Sequence, residues 1–235
     1  MYQARYLLYI GNFKISETII VQWIIMLALI AVALFMTRGL KKNPDTKRQL
    51  LLEWFVGGIK GYTTEMMGTK FVSRVPSIVP YVGTIFLFFI LSNLAGLFGF
   101  KSPTTDLDTT VAWASITIAT MYVMGVKFKG PSYFKEFIEP TPVMLPLNIV
   151  GEIARPISLS FRPFGNILGG TIIMGLVYQL NAFLSSLIPN LKIPIGQIAF
   201  PVPLHLYFDI FAGSLQAFIF MTLTLVFIGN AAETE

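Results

Sequence analysis

Residues 19–36 read IIVQWIIMLALIAVALFM, eighteen residues without a charge. A helix rises about 1.5 Å per residue, so this run covers about 27 Å, close to the roughly 30 Å hydrocarbon core of a bilayer. It reads as a membrane-spanning helix, and two further runs of the same kind follow at about 79–100 and 109–126. Two later apolar regions, about 157–188 and 200–229, carry polar residues at membrane depth. Composition agrees: 54% of the 235 residues are hydrophobic and 12% charged, against roughly 25% charged in an ordinary soluble domain. The fold class is an all-α polytopic membrane protein, one domain with about five spans. No internal repeat breaks it up.

Cysteine is absent, which excludes disulfides and leaves the redox compartment open. The amino-terminal segment 1–18 does not read as a signal peptide: Arg5 and Lys14 are scattered, and no small-residue cleavage site follows an apolar core. The net charge of +5 does not point to nucleic acid, because the cations sit at the ends of spans. Arg38, Lys41, Lys42, Lys47, Arg48, Lys60, Lys70 and Arg74 lie between the first two runs, and Lys127, Lys129 and Lys135 lie in the segment 127–146. Such loops face the cytoplasm. The loops KSPTTDLD (101–108) and PNLKIPIGQ (189–197) carry one lysine each and are expected outside. Five passes then place the amino terminus outside and the carboxyl terminus, AAETE, in the cytoplasm.

Between the first two spans, residues 44–72 predict a helix on the cytoplasmic surface. Asn43 followed by Pro44 suits a helix start. Leu51, Leu52, Phe55, Val56, Ile59 and Tyr62 recur at helical spacing, with Lys47, Arg48, Glu53 and Lys60 mostly opposite. The nearby GYTTEMMGTK is not a phosphate loop: six residues separate Gly61 from Gly68 instead of four, and Thr69 precedes Lys70.

Ionisable side chains inside spans cost roughly 2.5–3.5 kcal/mol each at a helix centre, so they mark function. One set is Glu152, Arg155, Arg162 and Asn166, in NIVGEIARPISLSFRPFGNILGG. On a helix Arg155 and Arg162 share a face about 10 Å apart, Asn166 continues it, and Glu152 can pair with Arg155. Arg155 is placed to snorkel, whereas Arg162 is too deep, and its guanidinium cannot shed its proton. Gly165, Gly169 and Gly170 form a surface with almost no side chain, and a GxxxG pair such as Gly165 and Gly169 allows close helix approach. The second set is His205, Asp209 and Gln216, whose spacings of four and seven align them on one face of a regular helix. Asp209 needs water or a cation nearby. His205 also suits interfacial hydrogen bonding, Gln216 an interhelical bond, and a lone histidine builds no metal site.

At these residues the chain resembles subunit a of the F-type ATP synthases. Their Arg-Leu-Phe-Gly-Asn signature is matched by FRPFGN (161–166) except at Pro163; SNLAGLFGFKSPTTDLDTTVAWA (92–114) and SLQAFIFMTLTLVFI (214–228) resemble two further family segments. The resemblance implies that 147–188 and 200–229 form two long tilted helices against a ring of c subunits. It implies Arg162 as the essential arginine, Asn166 as a polar residue lining a half-channel, Gln216 as the last-helix glutamine near the arginine, and Glu152 on the cytoplasmic side of the ion path. Family members commonly carry an acidic residue near Thr171, or a histidine or acidic residue near Asp209; this chain has threonine at the first and aspartate at the second, so Asp209 is the candidate for the outer relay, with His205 on the same path. The implied partners are the c-ring, the peripheral-stalk subunit b and the lipid bilayer, in the plasma membrane of a bacterium. No cofactor, no metal and no catalysis by the chain alone are expected. The transported ion is read as the proton, with a sodium-translocating version or a stand-alone secondary transporter as alternatives. Pro163 removes a backbone donor, so a kink or local unwinding is expected beside Arg162, with Ser158 or Ser160 compensating the freed carbonyl of Leu159.

Overall fold

The computed structural model describes residues 6–10, 13–42, 46–139, 141–187 and 201–232. It opens with a two-stranded antiparallel hairpin, β1 (Tyr6–Ile10) and β2 (Phe13–Ser16), in which Ile10 pairs with Phe13. Everything described after it is helical or connects helices. α1 spans Glu17–Thr37, α2 Lys47–Met67, α3 Thr69–Arg74, α4 Ile78–Leu94, α5 Leu107–Lys129 and α6 Leu145–Ser186. α7 covers Pro201–Ala232. Among the described residues, five helices are long and apolar enough to cross a membrane: α1, α4, α5, α6 and α7 with their short extensions. The chain is an all-α polytopic membrane protein apart from the small hairpin.

The proposed start of the surface helix at Asn43 and Pro44 lies outside the described residues. α2 itself begins after Thr46, whose hydroxyl accepts the Gln49 N–H at 3.4 Å. Of its six apolar positions only Ile59 is buried, Leu52, Phe55 and Tyr62 are half-buried, and Leu51 and Val56 are exposed. The Tyr62 hydroxyl meets Thr222 of α7 at 2.9 Å. Arg48 turns back to α1 and donates to the carbonyls of Phe35 (3.1 Å) and Arg38 (2.5 Å). A cation on the open carbonyls of a helix end satisfies them and suits the helix dipole, which fixes the α1–α2 corner. Gly68, at φ 79°, breaks α2 from α3, a backbone region that suits glycine.

The core lies among α4, α5 and α7. Val82, Ile85, Phe88 and Phe89 of α4 pack with Met121 of α5 and Phe220, Leu225 and Ile228 of α7, all essentially inaccessible. The Phe89 and Phe220 rings stack at 4.3 Å, and Phe88 lies 5.0 Å from Trp113. α6 leans on this core along a narrow strip that includes Leu159, Ser160, Pro163, Gly170 and Met174. Its remaining length is open.

The expected unwinding at Pro163 does not occur. α6 runs as an uninterrupted α-helix of 42 residues through both Pro156 and Pro163. The Ser160 hydroxyl donates to the Ile157 carbonyl at 3.0 Å, not to Leu159. The irregular turn sits on the other helix: Leu206–Ala212 of α7 is π-helical.

Candidate ion pathway

Arg162 is exposed on α6, and its side chain makes no hydrogen bond or ion pair to any described residue. Toward the carboxyl end of α6, Asn166, Gly170 and Thr171 line an open cavity of about 450 Å³; toward its amino end, Gly151, Glu152 and Arg155 line another of about 310 Å³. The topology sets the two at opposite ends of the bundle. The first is closed by the start of α1 (Glu17), the turn after α4 (Lys101, Ser102) and the start of α7 (His205). The second is closed by the segment after α5 (Tyr133, Glu136) and the end of α7 (Asn230, Ala231). Arg162 falls between them along the helix.

In the first cavity His205 and Asp209 are joined at 2.5 Å between Nδ1 and Oδ2, and the Tyr178 hydroxyl lies 3.1 Å from His205 Nε2. When Nδ1–H donates to an ionised Asp209, Nε2 is left as the acceptor for the Tyr178 O–H. The three groups form a hydrogen-bonded string from α6 to α7. Asn166 donates to the Ala212 carbonyl at 3.3 Å, at the end of the π stretch. π turns are rare and cluster at functional sites, because they offset carbonyls and side chains from the regular ladder.

The cavity wall is held by a buried network that sequence reading did not find. Asn93 donates to the Gly213 carbonyl at 2.7 Å and accepts from Thr104 at 2.7 Å; Ser102 donates to the Ser92 carbonyl at 2.6 Å, and its oxygen lies 2.7 Å from that of Thr104. The close approach has a cause: a Cβ on Gly213 would stand 3.0 Å from Asn93 Cβ. Likewise a Cβ on Gly170 would meet the Phe208 ring at 3.1 Å, so glycine lets the π stretch of α7 settle onto α6. The expected small-residue contact is thus made by Gly170, whereas Gly165 and Gly169 face open space.

In the second cavity Arg155 and Glu152 form the expected ion pair. Glu152 also accepts the Tyr122 hydroxyl at 3.1 Å, and the Arg155 guanidinium lies 5.9 Å from the Phe227 ring centre. Gln216 is 4% exposed, lines neither cavity, and its Nε2 has no hydrogen-bond partner among the described residues. Tyr178 had a legible signal, since it stands seven residues after Thr171 and so shares its face. Asn93 had none, because its partners are backbone and hydroxyl groups far along the chain.

Two water-accessible cavities that stop on either side of a fixed cation make a poor pore. They suit a stator, past which a second body carries the ion. The chain belongs to the ATP synthase A chain family, whose model matches residues 19–229. Among its relatives, the protein described as ATP synthase subunit a, sodium ion specific, from Propionigenium modestum is 33% identical over 242 residues, covering 95% of this chain and 77% of that protein. As a member, the chain supplies the ion-translocating channel of a rotary ATP synthase and works within that complex against the c-ring. A stand-alone transporter is thereby set aside.

Proposed function

We propose that this chain moves protons through two offset half-channels that meet at Arg162. The single observation that carries the reading is the pair of cavities on either side of Arg162 along α6, with that arginine exposed and unpartnered among the described residues. A c-ring carboxylate arriving from lipid is neutral; beside the fixed guanidinium its ionised form is favoured, so it unloads there. The same cation repels ions that would leak directly between the cavities. Loading runs from outside through His205, Asp209 and Asn166, and release runs inward past Glu152. Gln216 stands by as a buried polar group on α7.

The orientation follows from the lysine- and arginine-rich loops: amino terminus outside, carboxyl terminus in the cytoplasm of a bacterium, with 44–72 along the inner surface and subunit b as a further neighbour. α6 would be about 63 Å long, twice the hydrocarbon thickness, so it must tilt steeply or project from the bilayer. Coupled ATP synthesis in vesicles tests the core of this reading: Arg162→Ala should abolish it, and survival of coupled synthesis would remove Arg162 from its role.

A sodium-translocating version is the second reading. It is favoured by the sodium specificity in the relative's name and by the oxygen-bearing lining of the first cavity, which includes Asn93, Ser102, Thr105, Asn166 and Asp209. Synthesis driven by a pH gradient in sodium-free medium supports protons; a requirement for sodium supports the alternative.

A further inference from the structure

A third cavity, of about 670 Å³, lies outside the ion path. It opens where α2 gives way to α3 and where α5 and α7 end, so it sits at the level at which two spans leave the membrane. Met67, Phe71, Phe128 and Val226 give it an apolar lining, and Lys70 and Arg74 of α3 stand on its rim. From these residues we infer a binding site for one anionic phospholipid, with its phosphate on Lys70 and Arg74 and an acyl chain against the apolar lining.

Three observations converge on it. Lys70 and Arg74 are four residues apart, hence on one face of α3, and like charges at that spacing destabilise a helix. α3 has six residues, too few to hold a helix by itself. Yet both cations are exposed, and neither has an ion pair or side-chain hydrogen bond to a described residue. An anion between them would relieve the repulsion and order the turn. Competition from the end of α7 is limited, because Lys129 already donates to the Asn230 carbonyl at 3.3 Å while pairing with Glu136 at 2.8 Å. Finally, a cationic rim over an apolar slot matches an amphiphile. A free phosphate would use the rim and leave the slot empty. Basic pockets between span ends are where anionic headgroups bind.

Lys70 and Arg74 line neither cavity of the ion path, so failure of the lipid site leaves the proposed function untouched. The test is native mass spectrometry of the intact complex, purified in detergent with an equimolar mixture of phosphatidylglycerol and phosphatidylcholine. The expected result is retained phosphatidylglycerol on the wild type, reduced about tenfold by Lys70→Ala with Arg74→Ala. The same mixture should stay bound to Lys47→Ala with Lys60→Ala, which removes two exposed cations of α2. If the double variant does not assemble, Lys70→Gln alone should show a several-fold loss. Equal retention in the rim and control variants overturns the proposal. So does displacement of the lipid by millimolar inorganic phosphate, which would leave only an anion site. If lipid bound only after removal of residues 233–235, the acidic Glu233 and Glu235 would be the occupants and the proposal would fall.

Discussion

Gly125→Ala offers a quantitative test of the packing beside Glu152. A Cβ at position 125 would lie 2.7, 2.9 and 2.9 Å from Cε2, Cδ2 and Cζ of Tyr133. Carbon atoms prefer about 3.5–4.0 Å, so the ring must retreat by roughly 0.8 Å. Tyr133 is only 4% exposed and is boxed in by Tyr122, Phe134 and Phe137, with ring centres at 6.1, 5.7 and 5.9 Å. Its one open direction is the Glu152 cavity, which it lines. Overpacking of this kind costs about 1–3 kcal/mol, and alanine returns about 1 kcal/mol of helix propensity relative to glycine. The net is a destabilisation of about 1 kcal/mol, seen as a fall of about 2–4 °C in the thermal unfolding temperature. The sign is the sharper test. With Tyr133→Ala already present the clash is gone, and Gly125→Ala should raise the unfolding temperature by about 2–4 °C. The same sign in both backgrounds would refute the account.

Three further outcomes concern the site. Asn93→Ala removes the donor to the Gly213 carbonyl and the acceptor of the Thr104 hydroxyl, which keeps Ser102 within reach; two lost hydrogen bonds at about 0.5–1.5 kcal/mol each should lower the unfolding temperature by about 2–10 °C, and a change below about 1 °C would contradict the network. Tyr178→Phe keeps the ring and removes only the hydroxyl on His205. Folding should be unchanged while the dependence of ATP synthesis on outer pH changes shape, and an identical profile would take Tyr178 out of the relay. Glu152→Gln keeps an acceptor for Tyr122 and removes the charge beside Arg155, whose side chain is 42% exposed. Stability should move by less than about 1 kcal/mol, whereas coupled synthesis should fall several-fold; unchanged synthesis would exclude Glu152 from the inner path.

The spans were legible because their length is imposed by the solvent. Runs read at 19–36, 79–100 and 109–126 appear as Glu17–Thr37, Ile78–Leu94 with a 3₁₀ extension to Phe98, and Leu107–Lys129. The Glu152–Arg155 pair and the His205–Asp209 pair were legible as well, since spacings of three and four bring side chains together wherever the backbone is helical. The hydroxyl-and-amide wall around Asn93 was not, because its bonds link residues 10, 11 and 120 positions apart. The β-hairpin is likewise illegible, in a segment too short and mixed to show a period.

Two departures from the sequence expectations lie on the facing helices α6 and α7. A kink or local unwinding of α6 is expected at Pro163 from its missing donor, and one shared face of α7 is expected for His205, Asp209 and Gln216. In lipid, however, a proline is tolerated within a helix, and here α6 continues as α-helix through Pro163 while the facing helix takes a π-helical turn. A π turn inserts one extra residue, which rotates the downstream part of the helix by about 100° relative to a regular one. His205 and Asp209 therefore stay together in the cavity, whereas Gln216 is turned into the core. Asn166 closes on the carbonyl of Ala212 where the wide turn ends. On the proposed mechanism the turn does more than kink a helix. It ends the water path at Asn166, one turn of α6 before Arg162, so that an ion can go further only on a carrier that comes to the arginine from outside the chain.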